Sequence, residues 1–136
     1  MIQTLSHTTI YVLDQEAARK FYVEKLGFEV RADMTLGAFR WLTVSPKAQP
    51  GLQMILMPLG VSPAMDAATA DALKAVVKSG AMGCGILETD DCQITYEQLK
   101  KQGVEFRTPP TQRPYGLEAV LLDNSGNWFS LVQRPR

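Results

Sequence analysis

The chain has one histidine, His7, and two cysteines, Cys84 and Cys92, in 136 residues. That scarcity excludes a disulfide framework, which takes several pairs, and a zinc ribbon or finger, which takes four closely spaced Cys or His ligands. Charge of one sign is also missing, since 14 basic residues face 14 acidic ones. A chain without a basic excess has no electrostatic footprint for nucleic acid and no basic stripe for anionic lipid. Long apolar runs are absent as well, every one falling short of the roughly 20 residues of a membrane span. Met1 leads straight into a strand pattern rather than a signal peptide. The expectation is a cytoplasmic protein with reduced thiols, no nucleic-acid partner and no membrane partner. The sequence contains no Ser-His-Asp arrangement, glycine-rich phosphate loop or paired-carboxylate signature either.

What the chain does have is a repeat of itself. "HTTIYVLDQEAARKFYVEKLGFEV" reads as an alternating strand, an acidic cap at Asp14, an amphipathic helix closed by Gly27, and a second strand. "CGILETDDCQITYEQLKKQGVEF" repeats that order, with a cap at Asp90 or Asp91 and a stop at Gly103. Two further strand candidates complete each half: "AFRWLTVS" and "LQMILMP" in the first, "LEAVLLD" and "NWFSLVQRP" in the second. His7, Asp14 and Pro58 lie 77 residues before Cys84, Asp91 and Pro135, while the helix region needs a one-residue gap. Between the halves, "SPAMDAATADALKAVVKSG" begins with Ser62 and Pro63, is rich in helix formers and stops at Gly80. The organisation expected is one domain over 1–136, with module one at about 1–60, a linker helix at about 62–79 and module two at about 80–136.

A strand–helix–strand–strand–strand unit used twice, with "FYVEKLGFEV" early and "DNSGNWFSLVQ" late, resembles the vicinal oxygen chelate superfamily of glyoxalases, bleomycin resistance proteins and extradiol dioxygenases. The resemblance covers nearly the whole chain. It implies an α+β fold of two βαβββ modules forming a curled, cup-like mixed sheet with helices on the outer face, and it implies a homodimer. Metal-bearing members place ligands at the first and last strand of each module, and here those positions are His7, Gln53, Cys84 and Ser130. The superfamily pattern expects His, Gln or Glu at such places. Only His7 and Gln53 fit it. Ser130 stands where metal-dependent relatives carry Glu, a neutral hydroxyl is a poor ligand for a divalent ion, and an amide oxygen supplies no charge.

Strand parity extends the set, because residues two apart share a face. Thr9 and Tyr11 go with His7, Ile55 with Gln53, Ile86 and Glu88 with Cys84, and Trp128 and Val132 with Ser130. Ile10, Val12, Phe129 and Leu131 are then the seats of the helices. Glu88 falls at the rim of the cup. In "FRWL", Arg40 and Trp41 point to opposite faces and one of them faces the cup. Arg113 and Tyr115, in the loop "RPYG", either contact a ligand or cap their turn. Met34, Met54 and Met57 lie on or near cup strands and offer an adaptable apolar lining. Cys84 is a small apolar packing residue or, with a metal, a thiolate; Cys92 is structural.

The ligand-poor set points to a small organic molecule held in an apolar cup by His7, Tyr11, Trp41, Gln53, Ile55, Cys84, Arg113, Tyr115, Trp128 and Ser130. No metal and no cofactor is expected, and the partners are that molecule and a second copy of the chain. The alternative is a metal-dependent lyase, isomerase or dioxygenase using His7 and Gln53. A metal-free cup can also transfer protons, with His7 as the base. A pure assembly module would have a filled cup.

Overall fold

In the computed structural model, which describes residues 1–135, the alternating "HTTIYV" forms strand β1 (His7–Val12), with Ile10 and Val12 buried and Thr9 exposed. Asp14 then caps helix α1 (Gln15–Lys20), its Oδ1 accepting from the Ala17 N–H at 2.7 Å, which satisfies one of the orphan donors of the first turn. The helix runs on through a π-helical turn (Phe21–Lys25) and is closed by Gly27 at φ 76°. Strands β2 (Glu29–Leu36), β3 (Phe39–Ser45) and β4 (Gln53–Pro58) complete a four-stranded mixed sheet of order β1-β4-β3-β2, in which β1 and β4 are parallel. Its buried side carries Ile10, Val12, Leu42, Val44, Met54 and Leu56. Ala18, Phe21, Tyr22 and Phe28 are buried with them, Tyr22 lying against Phe21 and Phe28 at ring centroid distances of 5.3 and 5.6 Å. Fully burying side chains of this size contributes about 1.5–3 kcal/mol each.

β3 and β4 pair at only two positions, Thr43 with Ile55 and Val44 with Met54. Beyond them the strands part, and the Gln15 amide fills the gap by donating to the carbonyls of Arg40 (3.0 Å) and Leu56 (2.9 Å). The first residue of α1 thereby satisfies two backbone acceptors that the sheet leaves open.

The chain divides into two compact units, Met1–Ala75 and Val76–Arg136, and the second builds the same sheet. Strands β5 (Gly83–Glu88), β6 (Glu105–Arg113), β7 (Gly116–Leu122) and β8 (Trp128–Gln133) take the order β5-β8-β7-β6, again with the first and last strands parallel. Asp91, not Asp90, caps helix α3 (Cys92–Lys101) through the Ile94 N–H at 2.9 Å. Phe129, Leu131, Ala119 and Leu121 are buried, as is Cys92, whose Sγ lies 3.5 Å from the Leu131 carbonyl. The seats expected for the helices and the structural reading of Cys92 agree with this core. Arg136, the last residue of the second module, lies outside the described residues.

One expectation is corrected. Helix α2 occupies Ala67–Lys78 and does not begin at Ser62 and Pro63. Ser62 and Met65 close a turn on each other through backbone hydrogen bonds of 2.9 and 3.1 Å. Asp66 is the residue that starts the helix, its Oδ1 accepting from the Thr69 N–H at 2.8 Å. The two sheets also differ in register. In the first sheet His7 opposes Gln53, but in the second a bulge at Cys84 shifts the pairing so that Ile86, not Cys84, opposes Ser130. Two glycines allow it. Gly85 takes φ 144°, and a Cβ on Gly83 would lie 2.5 Å from Cζ2 of Trp128, so only glycine lets the indole cross that strand.

No helix among the described residues is long and apolar enough to cross a membrane.

Candidate functional site

Each sheet has one side occupied by its buried core and one side that is not, and the polar residues singled out from the sequence fall on the second. In the first unit His7, Thr9 and Tyr11 of β1 lie beside Gln53, Ile55 and Met57 of β4 in register. Thr43 opposes Ile55 on the same face, and Met34 opposes Trp41. The Arg40–Trp41 alternative is settled by these neighbours. The Trp41 ring stands 6.0 Å from that of His7, centroid to centroid, so Trp41 takes the open face. Arg40 points the other way, to both carboxylate oxygens of Asp33 at 2.8 Å and to Glu16 on α1 at 3.1 Å. The Arg19 and Arg40 guanidiniums hold the Glu16 carboxyl down at about 2. Of the three methionines, Met34 and Met57 belong to the open face, whereas Met54 is buried on the core side.

The polar groups of this face already have partners. Ser6 Oγ lies 2.9 Å from His7 Nδ1, which leaves Nε2 as the ring nitrogen available to a ligand. Gln53 Oε1 accepts from the hydroxyl of fully buried Thr43 at 2.7 Å, so the amide oxygen is turned inward and the NH2 group is the part on offer.

In the second unit Ile86, Ser130 and Val120 form one cross-strand row, and Glu88, Val132 and Glu118 the next. Ser130 is buried between apolar neighbours. Trp128 opposes Leu122 and Gly83, with the Arg107 guanidinium over its ring at 6.0 Å. Cys84 is half-buried, and its thiol is pushed up to about 12, first by burial and then by the Asp123 carboxylate. It is a thiol, not a thiolate, at any ordinary pH. Glu88 is an exposed strand-end residue paired with Arg134 at 2.9 Å.

Arg113 ends β6 and Gly116 begins β7, opposite each other, so the loop is the two-residue turn Pro114–Tyr115. Both side chains proposed from this loop converge on Glu118, which sequence reading passed over. Tyr115 Oη donates to Glu118 Oε1 at 2.8 Å, and Arg113 Nε stands 3.6 Å from the same oxygen. This bond to Glu118 raises the Tyr115 hydroxyl above its ordinary range. The signal for Glu118 was its parity: in "GLEAVLL" it shares a face with Val120 and Leu122.

The donor sets do not fit a metal. The first unit offers an imidazole nitrogen and an amide whose oxygen is engaged. The second offers a protonated thiol and a hydroxyl packed between Ile86 and Val120, displaced from each other by the bulge. Neither set contains an anionic donor, and divalent cations of the hard or borderline type favour charge. Among the described residues no three His, Cys, Asp or Glu side chains cluster as metal ligands.

Comparison with known proteins gives consistent relatives. The model of the Glyoxalase/Bleomycin resistance protein/Dioxygenase superfamily matches residues 4–131. The protein YurT of Bacillus subtilis (strain 168) is 37% identical over 128 residues, 93% of this chain and 96% of YurT. Among solved structures, UcmS2 superposes with a TM-score of 0.92 at 49% identity, covering 98% of this chain and 99% of UcmS2. TnmS3, an antibiotic binding protein from Streptomyces sp. CB03234, superposes with a TM-score of 0.77 at 30% identity, covering 98% of both chains.

Proposed function

The chain belongs to the Glyoxalase/Bleomycin resistance protein/Dioxygenase superfamily, and within it we propose that this protein is a metal-free binder of a small organic molecule. The observation that carries the reading is the open face of the first sheet, where Trp41, Met34, Met57 and Tyr11 surround the His7 and Gln53 donors. Aromatic and methionine side chains offer apolar contact area that adapts to a ligand, while the His7 Nε2 and the Gln53 NH2 group fix its orientation. The likeness to TnmS3, an antibiotic binding protein, supports the same class and suggests a ligand type, an antibiotic-like compound. On the first sheet Tyr11, Trp41 and Ile55 supply apolar contact and His7 and Gln53 polar contact; on the second sheet, taken by itself, Trp128 supplies apolar contact and Arg113 and Tyr115 polar contact. Ser130 and Cys84 act as packing. The donor chemistry argues against the alternative, a metal-dependent lyase, isomerase or dioxygenase working through His7 and Gln53.

A screen of several hundred aromatic and amphipathic compounds by intrinsic tryptophan fluorescence tests this. At least one compound gives a saturable change, and Trp41→Ala weakens it at least about tenfold, the usual scale for truncating a buried aromatic anchor. No saturable response from any compound favours the assembly reading.

The two modules are read as one domain, and the protein as a homodimer. Each four-stranded sheet has two edge strands paired on one side only within it, and Met34, Leu36 and Phe39 along the β2–β3 hairpin are exposed. Sedimentation at micromolar concentration gives a dimer mass; a pure monomer sinks that assignment.

A further inference from the structure

Glu118 is an unusual residue to find in the middle of β7. On its face it lies beside Val120 along the strand and opposite Val132 on β8, and its side chain is only 12% exposed. A carboxylate placed among apolar side chains costs desolvation unless it is paired and hydrogen-bonded. Its partners satisfy one oxygen alone, since Tyr115 Oη and Arg113 Nε both approach Oε1. Among the described residues no donor reaches Oε2, and the two terminal nitrogens of Arg113, whose side chain is 43% exposed, have no acceptor. A turn cap would be complete with one oxygen. Here an ionised acceptor and a guanidinium fork stand side by side with bonding capacity left over, on the same face as Ile86, Ser130 and Trp128.

Together the pair is neutral, so it has no preference for a cation or an anion. Its complement is a group that carries a hydrogen-bond donor next to an acceptor. We propose that Glu118 and Arg113 form a polar clamp for a carboxamide-type group on an otherwise apolar aromatic molecule, the N–H donating to Glu118 Oε2 and the carbonyl accepting from Arg113. Tyr115 holds Oε1 and so points Oε2 at the ligand. This rests on the small-molecule-binding reading above and gives that reading a ligand chemistry. Selectivity follows from the cost of leaving the clamp unmatched, because a buried polar group deprived of its partner loses more than a matched one gains.

The test uses a pair of probes, 2-naphthamide and N,N-dimethyl-2-naphthamide, in which two methyl groups replace the two N–H donors; the added bulk is common to wild type and variants, so the ratio of the two affinities is compared between proteins. Binding is followed by NMR through the Trp128 indole N–H, on the same sheet. Wild-type protein binds the primary amide more tightly. Glu118→Gln keeps an oxygen for Tyr115 but replaces the free acceptor by a donor, so it weakens 2-naphthamide at least about fivefold and leaves the dimethyl compound within about twofold. Arg113→Met removes the contact to the carbonyl and weakens both at least about threefold. A purely structural role would change the thermal midpoint and leave the ratio of the two affinities where it was. The clamp is overturned if Glu118→Gln affects both probes equally or neither, or if the naphthamides fail to bind while another compound from the screen does. If nothing binds, the ligand-binding reading goes as well.

Discussion

Asp123→Ala lowers stability by about 3 kcal/mol or more in urea unfolding, and the thermal midpoint by roughly 10 °C. The carboxylate is 5% exposed and sits inside the turn between β7 and β8. Its Oδ1 accepts from the backbone N–H groups of Ser125, Gly126 and Asn127 at 2.8, 2.9 and 2.9 Å, and its Oδ2 from the Asn127 side-chain amide at 2.9 Å. Alanine would leave the Ser125 and Asn127 N–H groups without their acceptor, each costing about 1–3 kcal/mol before relaxation, while the Gly126 N–H keeps its second acceptor, the backbone carbonyl of residue 123, at 3.2 Å. Against a total stability of about 5–15 kcal/mol this is a large share. Asp123→Asn separates the causes. Its amide oxygen still takes the three backbone donors, and the bond from the Asn127 amide to Oδ2 is lost, so the expected loss is about 1 kcal/mol. Equal losses in the two variants would mean that charge, not the backbone cradle, holds the turn. The same turn sets the rows of the ligand face, since Leu122 opposite Trp128 and Val120 opposite Ser130 follow from where β8 starts.

That turn was legible as "DNSGN", and most of the fold was legible with it, because the determinants are local. Strand alternation put Ile10, Val12, Phe129 and Leu131 on the core side. Acidic residues before helix-forming runs marked α1 and α3, and both helices start there. The error occurs where a local signal had a competitor. Ser62 and Pro63 are a sound helix start, yet Asp66 is another, and the segment from Ser62 to Met65 closes as a turn instead. The shift of 77 carries His7 onto Cys84 and Gln53 onto Ser130, but such a shift does not register a bulge. The flanking Gly83 and Gly85 were the sign of a bulge, but what fixes it there is the Trp128 indole lying over Gly83, a contact 45 positions away in sequence.

The site was legible in part for a similar reason. Which residues share a face follows from a period of two, and His7, Tyr11, Gln53 and Ile55 do lie together. Which group a side chain offers depends on a partner from another strand. Thr43 decides that Gln53 presents its NH2, and Arg40 is turned away from Trp41's face by Asp33 and Glu16. Glu118 shows the converse. Its strand looked like plain core, and its role becomes visible only once the hairpin returns Arg113 and Tyr115 to it.

Chelator-treated wild-type protein takes up nickel, zinc or manganese no more tightly than about millimolar in calorimetry, and Gln53→Glu improves the affinity for nickel or zinc at least about tenfold. The argument uses only the first unit, where His7 and Gln53 are direct neighbours across a parallel pair. Gln53 offers a neutral oxygen that already accepts from Thr43, so an ion would have to break a buried hydrogen bond to gain an uncharged ligand. Glutamate adds the missing charge and a second oxygen. One oxygen keeps the Thr43 hydroxyl, which then acts as the outer partner that orients a ligating carboxylate, and the other stands beside His7 Nε2. His7→Ala in the Gln53→Glu background should abolish the gain, since a lone carboxylate binds such ions weakly. The C84H and S130E changes that superfamily spacing suggests for the second unit should add little on their own, because the bulge sets Ile86, not Cys84, opposite Ser130. Tight stoichiometric uptake by the wild type would overturn the metal-free reading. Without a gain in Gln53→Glu, the register between β1 and β4 would not bring the two side chains into one coordination sphere.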